Sequence, residues 1–87
     1  MRIEEIMWDD WNEEHIARHE VSPAEVEQVA FTRPLRAKRM RNGIYAVYGQ
    51  TDAGRYLTVF LAPRPSNAYY PVTARNMNQN ERKQYSF

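Results

Sequence analysis

The chain has 87 residues, 43% of them apolar and 13% aromatic; this is too rich in core-forming side chains for a disordered segment and too short for two independent cores, so residues 1–87 read as a single domain. It contains no cysteine, which excludes disulfides and thiolate metal sites and points to a reducing, cytoplasmic compartment. The formal net charge of +1 hides a division: residues 1–27 hold nine acids against two basic residues, a net of −7, and residues 28–87 hold ten basic residues against two acids, a net of +8.

No apolar run approaches the roughly 18 residues of a membrane span. The opening MRIEEIMWDDW places acids where a signal peptide has a basic flank, so neither a leader nor a membrane partner is expected. A domain this small buries only about 60–65% of its unfolded surface, so a partner or a second copy of the chain, as in a homodimer, adds useful stability.

Residues 2–8 carry Ile3, Ile6, Met7 and Trp8 and read weakly as a strand-like opening segment. Asp9 and Asp10 then suit a helix start, and Trp11, His15 and Ile16 fall on one face of a helix over about 10–19. Ser22-Pro23-Ala24-Glu25 supplies a cap, a proline at the first helical position and a glutamate at the third. Val21 is placed to staple against Val26. This second helix is expected over about 23–31, ending before Pro34.

Beyond Pro34 the periodicity changes from 3.6 to 2. A basic strand over 35–41, a two-residue turn at Asn42-Gly43, and a strand over 44–51 follow. After a turn at Asp52-Ala53-Gly54, residues 55–62 alternate Leu57, Val59 and Leu61 against Tyr56, Thr58 and Phe60. Pro63, Pro65, Ser66 and Asn67 read as a loop. The last strand covers 68–75, with Pro71 marking an edge or a bulge. Asn78-Gln79-Asn80-Glu81 repeats the capping spacing and opens a short helix to about Tyr85. The fold class is therefore α+β: two N-terminal helices packed on one face of an antiparallel sheet of about four strands, with a short C-terminal helix. The opposite sheet face is left open as a working surface.

Chemistry is best supported on the basic half. There is no glycine-rich phosphate loop, no nucleophile motif and no cofactor signature. His15 and His19 have ligand spacing, but no third histidine exists and the zinc-peptidase glutamate position is Ile16, so packing and helix-end roles are preferred. Arg36, Lys38, Arg39, Arg41 and Arg64 are candidate RNA contacts. Aromatic residues Tyr45, Tyr48, Tyr56, Phe60, Tyr69 and Tyr70 are interleaved with them, and rings stack on unpaired bases as guanidinium groups pair with phosphates. A solvated edge strand, or a surface for an acidic protein, uses the same charges. Direct DNA reading is disfavoured because the predicted helices of 10–31 are acidic.

Several motifs, in order along nearly the whole chain, resemble those of the BrnT toxins: Trp8-Asp9, Asn12 and His19-x-Val21-Ser22; then Gly49-x-Thr51-x-x-Gly54-Arg55-x-Leu57; then Ala74-Arg75 and Glu81-Arg82-x-x-Tyr85. Glu20 stands where that family usually has glycine, and Gly43-Ile44-Tyr45 where it often has Glu-x-Arg. The resemblance implies a RelE/ParE-like fold and a metal-independent ribonuclease that inhibits translation. It also implies a nearby-encoded, BrnA-like ribbon-helix-helix antitoxin through which operator DNA is reached. It places the chemistry on Arg55, Arg75, Glu81, Arg82 and Tyr85, with Arg55 and Arg75 stabilising charge, Glu81 as a base, and Arg82 and Tyr85 positioning the phosphate or supplying a proton; the residues alone equally allow Glu81 as a helix cap and Tyr85 as a packing residue. The rival expectation is a non-catalytic interaction module.

Overall fold

The structure is a computed structural model that describes residues 1–85. Its elements run β1 (Glu5–Ile6), α1 (Asp10–Ala17), α2 (Pro23–Ala30), β2 (Arg36–Arg39), β3 (Tyr45–Gln50), β4 (Tyr56–Arg64), β5 (Ala68–Asn76) and α3 (Gln79–Gln84), with a short 3₁₀ turn over Pro65–Asn67. The fold is α+β, as the clustering of helices ahead of strands implied. Among the described residues no helix is long and apolar enough to cross a membrane.

The sheet differs from the expected antiparallel four. It has five strands in the order β1-β5-β4-β3-β2, and β1 lies parallel to β5, so the sheet is mixed. The opening segment earns its place through Ile3 and Ile6, both buried, and through main-chain bonds from Glu4 and Met7 to Asn67 and Tyr69. Such a short strand carries too little alternation to be read with assurance from sequence.

Both N-terminal helices are closed by full capping boxes, Asp9 with Asn12 and Ser22 with Glu25. Asn12 is fully buried because its amide also donates to the Met7 carbonyl. The buried stripe of α1 is therefore Asn12 and Ile16. Trp11 is 60% exposed and stacks on His15 at 5.0 Å, so the expected Trp11/His15 core face turns to solvent. The helix stops at Ala17, two residues short of expectation. Glu20 takes a left-handed φ of 59°, and the N–H of Val21 reaches back to the Ile16 carbonyl. Val21 and Val26 are both buried beneath α2, as the staple requires.

One core joins Ile16, Val26 and Val29 of the helices to Val47, Leu57, Val59, Leu61 and Ala74 of the sheet. Gly49 lets α2 approach: an added Cβ would sit 3.0 Å from Val29 Cγ1. Strand pairing fixes which side chains share a face. Pairs Arg36↔Tyr48↔Thr58↔Arg75 and Lys38↔Ala46↔Phe60↔Thr73 run as two rows across the sheet, on the side opposite α1 and α2. The β2–β3 and β3–β4 hairpins close with three-residue loops ending on glycine, Gly43 at φ 81° and Gly54 at φ 95°. The first was expected to be a two-residue turn; Met40 and Ile44 pair instead, leaving Arg41, Asn42 and Gly43 as the loop. Pro71 marks a bulge between Phe60 and Leu61 that leaves Val72 without a register partner. The expected loop at Pro63 begins two residues later, since β4 continues through Arg64.

The far face is not left open. The helix α3 lies on it, and Tyr48, Ala46 and Met77 form a second small cluster against which Tyr85, Tyr56, Phe60 and Met40 pack. A six-residue helix placed beyond the last strand gives no sequence sign of the face it returns to.

Candidate nucleic-acid interface

The centre of the far face is Arg75. Its Nη1 and Nη2 donate to Oε1 and Oε2 of Glu81 at 2.8 and 3.0 Å, an end-on fork, and Nη1 also reaches the Asn76 carbonyl at 3.1 Å. Glu81 is held from three further directions: Thr58 Oγ1 donates to Oε1 at 2.9 Å, the Asn78 N–H donates at 3.0 Å, and Asn78 caps the Glu81 N–H in return. Burial pushes the Glu81 carboxyl up, but the hydrogen bonds from Arg75, Asn78 and Thr58 outweigh it and hold the acid below the usual carboxylate range. The same carboxylate raises the Arg75 guanidinium. Among the described residues, the side-on edge of Arg75, its Nε and the second Nη2 hydrogen, has no hydrogen-bond partner. A guanidinium edge of this kind is the one that pairs with phosphate in two-pronged fashion.

Aromatic rings surround this pair. Tyr85 stacks on Tyr48 with centroids 4.0 Å apart, and the Tyr85 carbonyl accepts from Arg36 Nη1 at 2.7 Å. Burial, with the Tyr85 hydroxyl and nearby Glu81, pushes the Tyr48 phenol up to about 12. The Arg82 guanidinium lies 4.0 Å above the Tyr56 ring, and that of Arg75 lies 5.4 Å from the centre of Phe60. Beyond Phe60 the face opens into a hollow of about 510 Å³, lined by Met40, Ile44, Phe60 and Val72, with Arg41 and Asn42 at its rim.

Of the residues expected to carry chemistry, Arg75, Glu81, Arg82 and Tyr85 are brought together here. Arg55 is not. It lies across the sheet, where Nε donates to Asn76 Oδ1 at 2.8 Å, Nη2 to the His19 carbonyl at 3.1 Å, and Nη1 to Glu25 at 3.3 Å and to the Glu20 carbonyl. These bonds tie the β3–β4 loop and the end of β5 to the α1–α2 connection, which makes Arg55 a structural clamp. The role expected of Glu81 changes too. A carboxylate held below its ordinary range, with both oxygens accepting, is a weak base and a strong positioning group.

The basic cluster divides by strand parity. Arg36 and Lys38 share the far face, Arg41 stands in the adjoining loop, and Arg39 pairs with Tyr45 and alternates to the opposite side. Arg64 is at the remote end of β4, 5.3 Å over the ring of Tyr70. Among the six aromatics, Tyr45 and Tyr69 belong to the main core, meeting edge to face at 6.3 Å. Thr58 was missed as a site residue. Its alternation with Tyr56 and Phe60 was visible in the sequence, but its place opposite Arg75 depends on the bulge near Pro71.

His15 and His19 lie on the outer side of α1, their rings 6.2 Å apart, and among the described residues no three His, Asp or Glu side chains converge as metal ligands. Comparison of the chain with protein-family models, curated proteins and solved structures gives no match.

Proposed function

We propose that the chain is the toxin of a toxin–antitoxin pair, of the BrnT kind with a RelE/ParE-like architecture, and that it inhibits translation by cleaving single-stranded RNA without a metal. The observation that carries this is Arg75: an arginine held by Glu81, which Thr58 in turn fixes, one edge unengaged, flanked by stacked tyrosines and by Arg36 and Arg82. Cations beside half-buried rings such as Tyr56 and Phe60 suit an unpaired polynucleotide, whose phosphates are anionic and whose bases are flat.

In RNA cleavage by the 2′-hydroxyl, charge grows on the phosphate as the new P–O bond forms and the leaving oxygen departs. Arg75 receives that charge, and Arg82, held over Tyr56, supplies a second cation from α3. Glu81 acts through Arg75 as a positioning residue. Lys38 and Arg41 extend the cationic track toward the hairpin loop. An acidic, ribbon-helix-helix antitoxin encoded nearby covers the same face, and operator DNA is reached only through it.

The test is cleavage of single-stranded and ribosome-bound RNA in EDTA, together with growth arrest on expression, with Arg75→Ala weakening both. Intact RNA and unimpeded growth would count against a ribonuclease.

One observation favours the second reading, a non-catalytic module that docks an acidic partner. Among the described residues the one carboxylate on the cluster, Glu81, is fully engaged, and Tyr48 is pushed up to about 12, so neither is poised to take a proton near neutrality. Tight binding of the neighbour-encoded protein without any RNA cleavage would decide for it.

A further inference from the structure

We infer that the hollow beside Arg75 is a subsite for one unpaired nucleobase, stacked on Phe60, while the adjoining phosphodiester lies on the side-on edge of Arg75. The inference rests on the proposed RNA-binding role and specifies where a base is held within it.

The two rows across the far face provide the geometry. Arg75 ends the row that contains Tyr48 and Thr58, and Phe60 lies in the next row, with Ala46 beside it. Same-face neighbours along a strand are roughly 7 Å apart, so a group held at Arg75 and a ring lying on Phe60 are within one nucleotide's reach. The Arg75 guanidinium, 5.4 Å from the Phe60 centroid, forms the boundary between the cationic and apolar parts of the site.

The fold makes this depression for identifiable reasons. The bulge at Val72 and the three-residue loop after Met40 raise the walls on two sides. The helix α3 covers the neighbouring half of the face, over Tyr48 and Tyr56, and stops short of the hollow. Apolar side chains therefore stay uncovered next to Arg75.

Charge selects the occupant. Arg41 stands at the rim, Lys38 lies in the Phe60 row, and Arg75, already paired with Glu81, lies 5.4 Å from the centre of the Phe60 ring. An apolar peptide segment would fill the hollow but leave Lys38 and Arg41 without counter-charges. A nucleotide satisfies both parts, since its base has an apolar face and its phosphate a negative charge.

The experiment measures fluorescence anisotropy with two labelled probes of equal length on the same 2′-O-methylribose-phosphate backbone, which has no free 2′-hydroxyl and resists cleavage: one carries bases and the other is abasic. The wild-type chain should prefer the probe that carries bases. Phe60→Ala and Ile44→Ser should each weaken binding of that probe roughly tenfold and leave the abasic probe unchanged; Arg75→Ala should weaken both. Ile44 belongs to neither buried cluster, so its variant decides the matter if Phe60→Ala fails to fold. If Phe60→Ala and Ile44→Ser affect both probes equally or neither, the subsite is overturned and RNA binding stands. If the wild type binds neither probe, both fall. Loss of affinity for the neighbour-encoded protein in Phe60→Ala, with both probes unaffected, would assign the hollow to protein and overturn the subsite.

Discussion

Tyr85 lies flat on Tyr48, ring centroids 4.0 Å apart and planes inclined by 15°. This stack, with the Arg36 bond to the Tyr85 carbonyl, fastens the C-terminal end of α3 to the sheet. Glu81 precedes Tyr85 by one helical turn, so the same docking sets its carboxylate on Arg75. The arrangement of the basic face therefore depends on a hydrophobic contact made by a residue near the end of the chain.

The stack predicts an alkaline titration. The Tyr48 phenol is raised from 10.0 to about 12, so the folded state favours the neutral form. Its contribution to stability is complete below pH 10 and is lost as pH rises toward 12. Absorbance titration at alkaline pH should show a late tyrosine step that Tyr48→Phe removes. Tyr85→Ala should bring that step closer to 10, because it removes both ring cover and the neighbouring hydroxyl.

Arg75→Lys should fail to restore what Arg75→Ala loses. A lysine supplies charge but cannot hold Glu81 with one edge and offer a second edge to phosphate. RNA affinity in Arg75→Lys should fall roughly tenfold or more, within the range of lost charge-assisted bonds. Affinity near wild type in the lysine variant would show that charge alone suffices.

Acid should destabilise the fold through the same pair. Glu81 is held below its usual 4.5, so its stabilisation is present above that value and is lost as pH falls through the depressed one. Asp9, lowered by the Asn12 main chain and the Tyr70 hydroxyl, changes in the same direction. Denaturant unfolding should show stability dropping below about pH 4.5, and Glu81→Gln should flatten the drop while costing about 1–2 kcal/mol at neutral pH; partial exposure of Arg75 keeps the figure small.

Much of the fold was legible because its signals are local. The box of Ser22, Pro23 and Glu25, the alternation over 55–62 and the Asn78–Glu81 cap each depend on residues a few positions apart, and all three form. What escaped depends on distant pairing. Trp11 and His15 satisfy helical spacing on either side of α1; only the buried bond from Asn12 to Met7 decides which side faces the sheet. The parallel pairing of β1 and the return of α3 are likewise long-range. The turn expected at 52–54 forms, but Arg55 beside it was read as chemistry: Thr51 Oγ1 accepts from the Arg55 N–H, Gly54 takes a positive φ, and the Arg55 side chain clamps the helical layer.

Arg55→Ala should therefore reduce stability and spare RNA binding. It removes bonds to Asn76, Glu25 and the His19 and Glu20 carbonyls; the expected loss is about 1–3 kcal/mol, near the low end because these groups are partly solvated. The check is chemical denaturation alongside RNA affinity, both measured well below the melting temperature. A folded, equally stable variant that no longer binds RNA would return Arg55 to the site.

Glu20→Gly should stabilise the chain. Glu20 occupies the left-handed position that ends α1: its N–H bonds to the Ala17 carbonyl, that of Val21 to Ile16, and the side chains of Val21 and Ile16 are buried together. Glycine takes this conformation without the steric cost of a Cβ, although its greater freedom in the unfolded chain offsets part of the gain. The net effect is about 0.5–1 kcal/mol, readable as a higher denaturant midpoint with an unchanged slope. The bond from Arg55 to the Glu20 carbonyl uses the main chain and survives the change, so Arg55→Ala and Glu20→Gly should differ in sign although they act on the same connection.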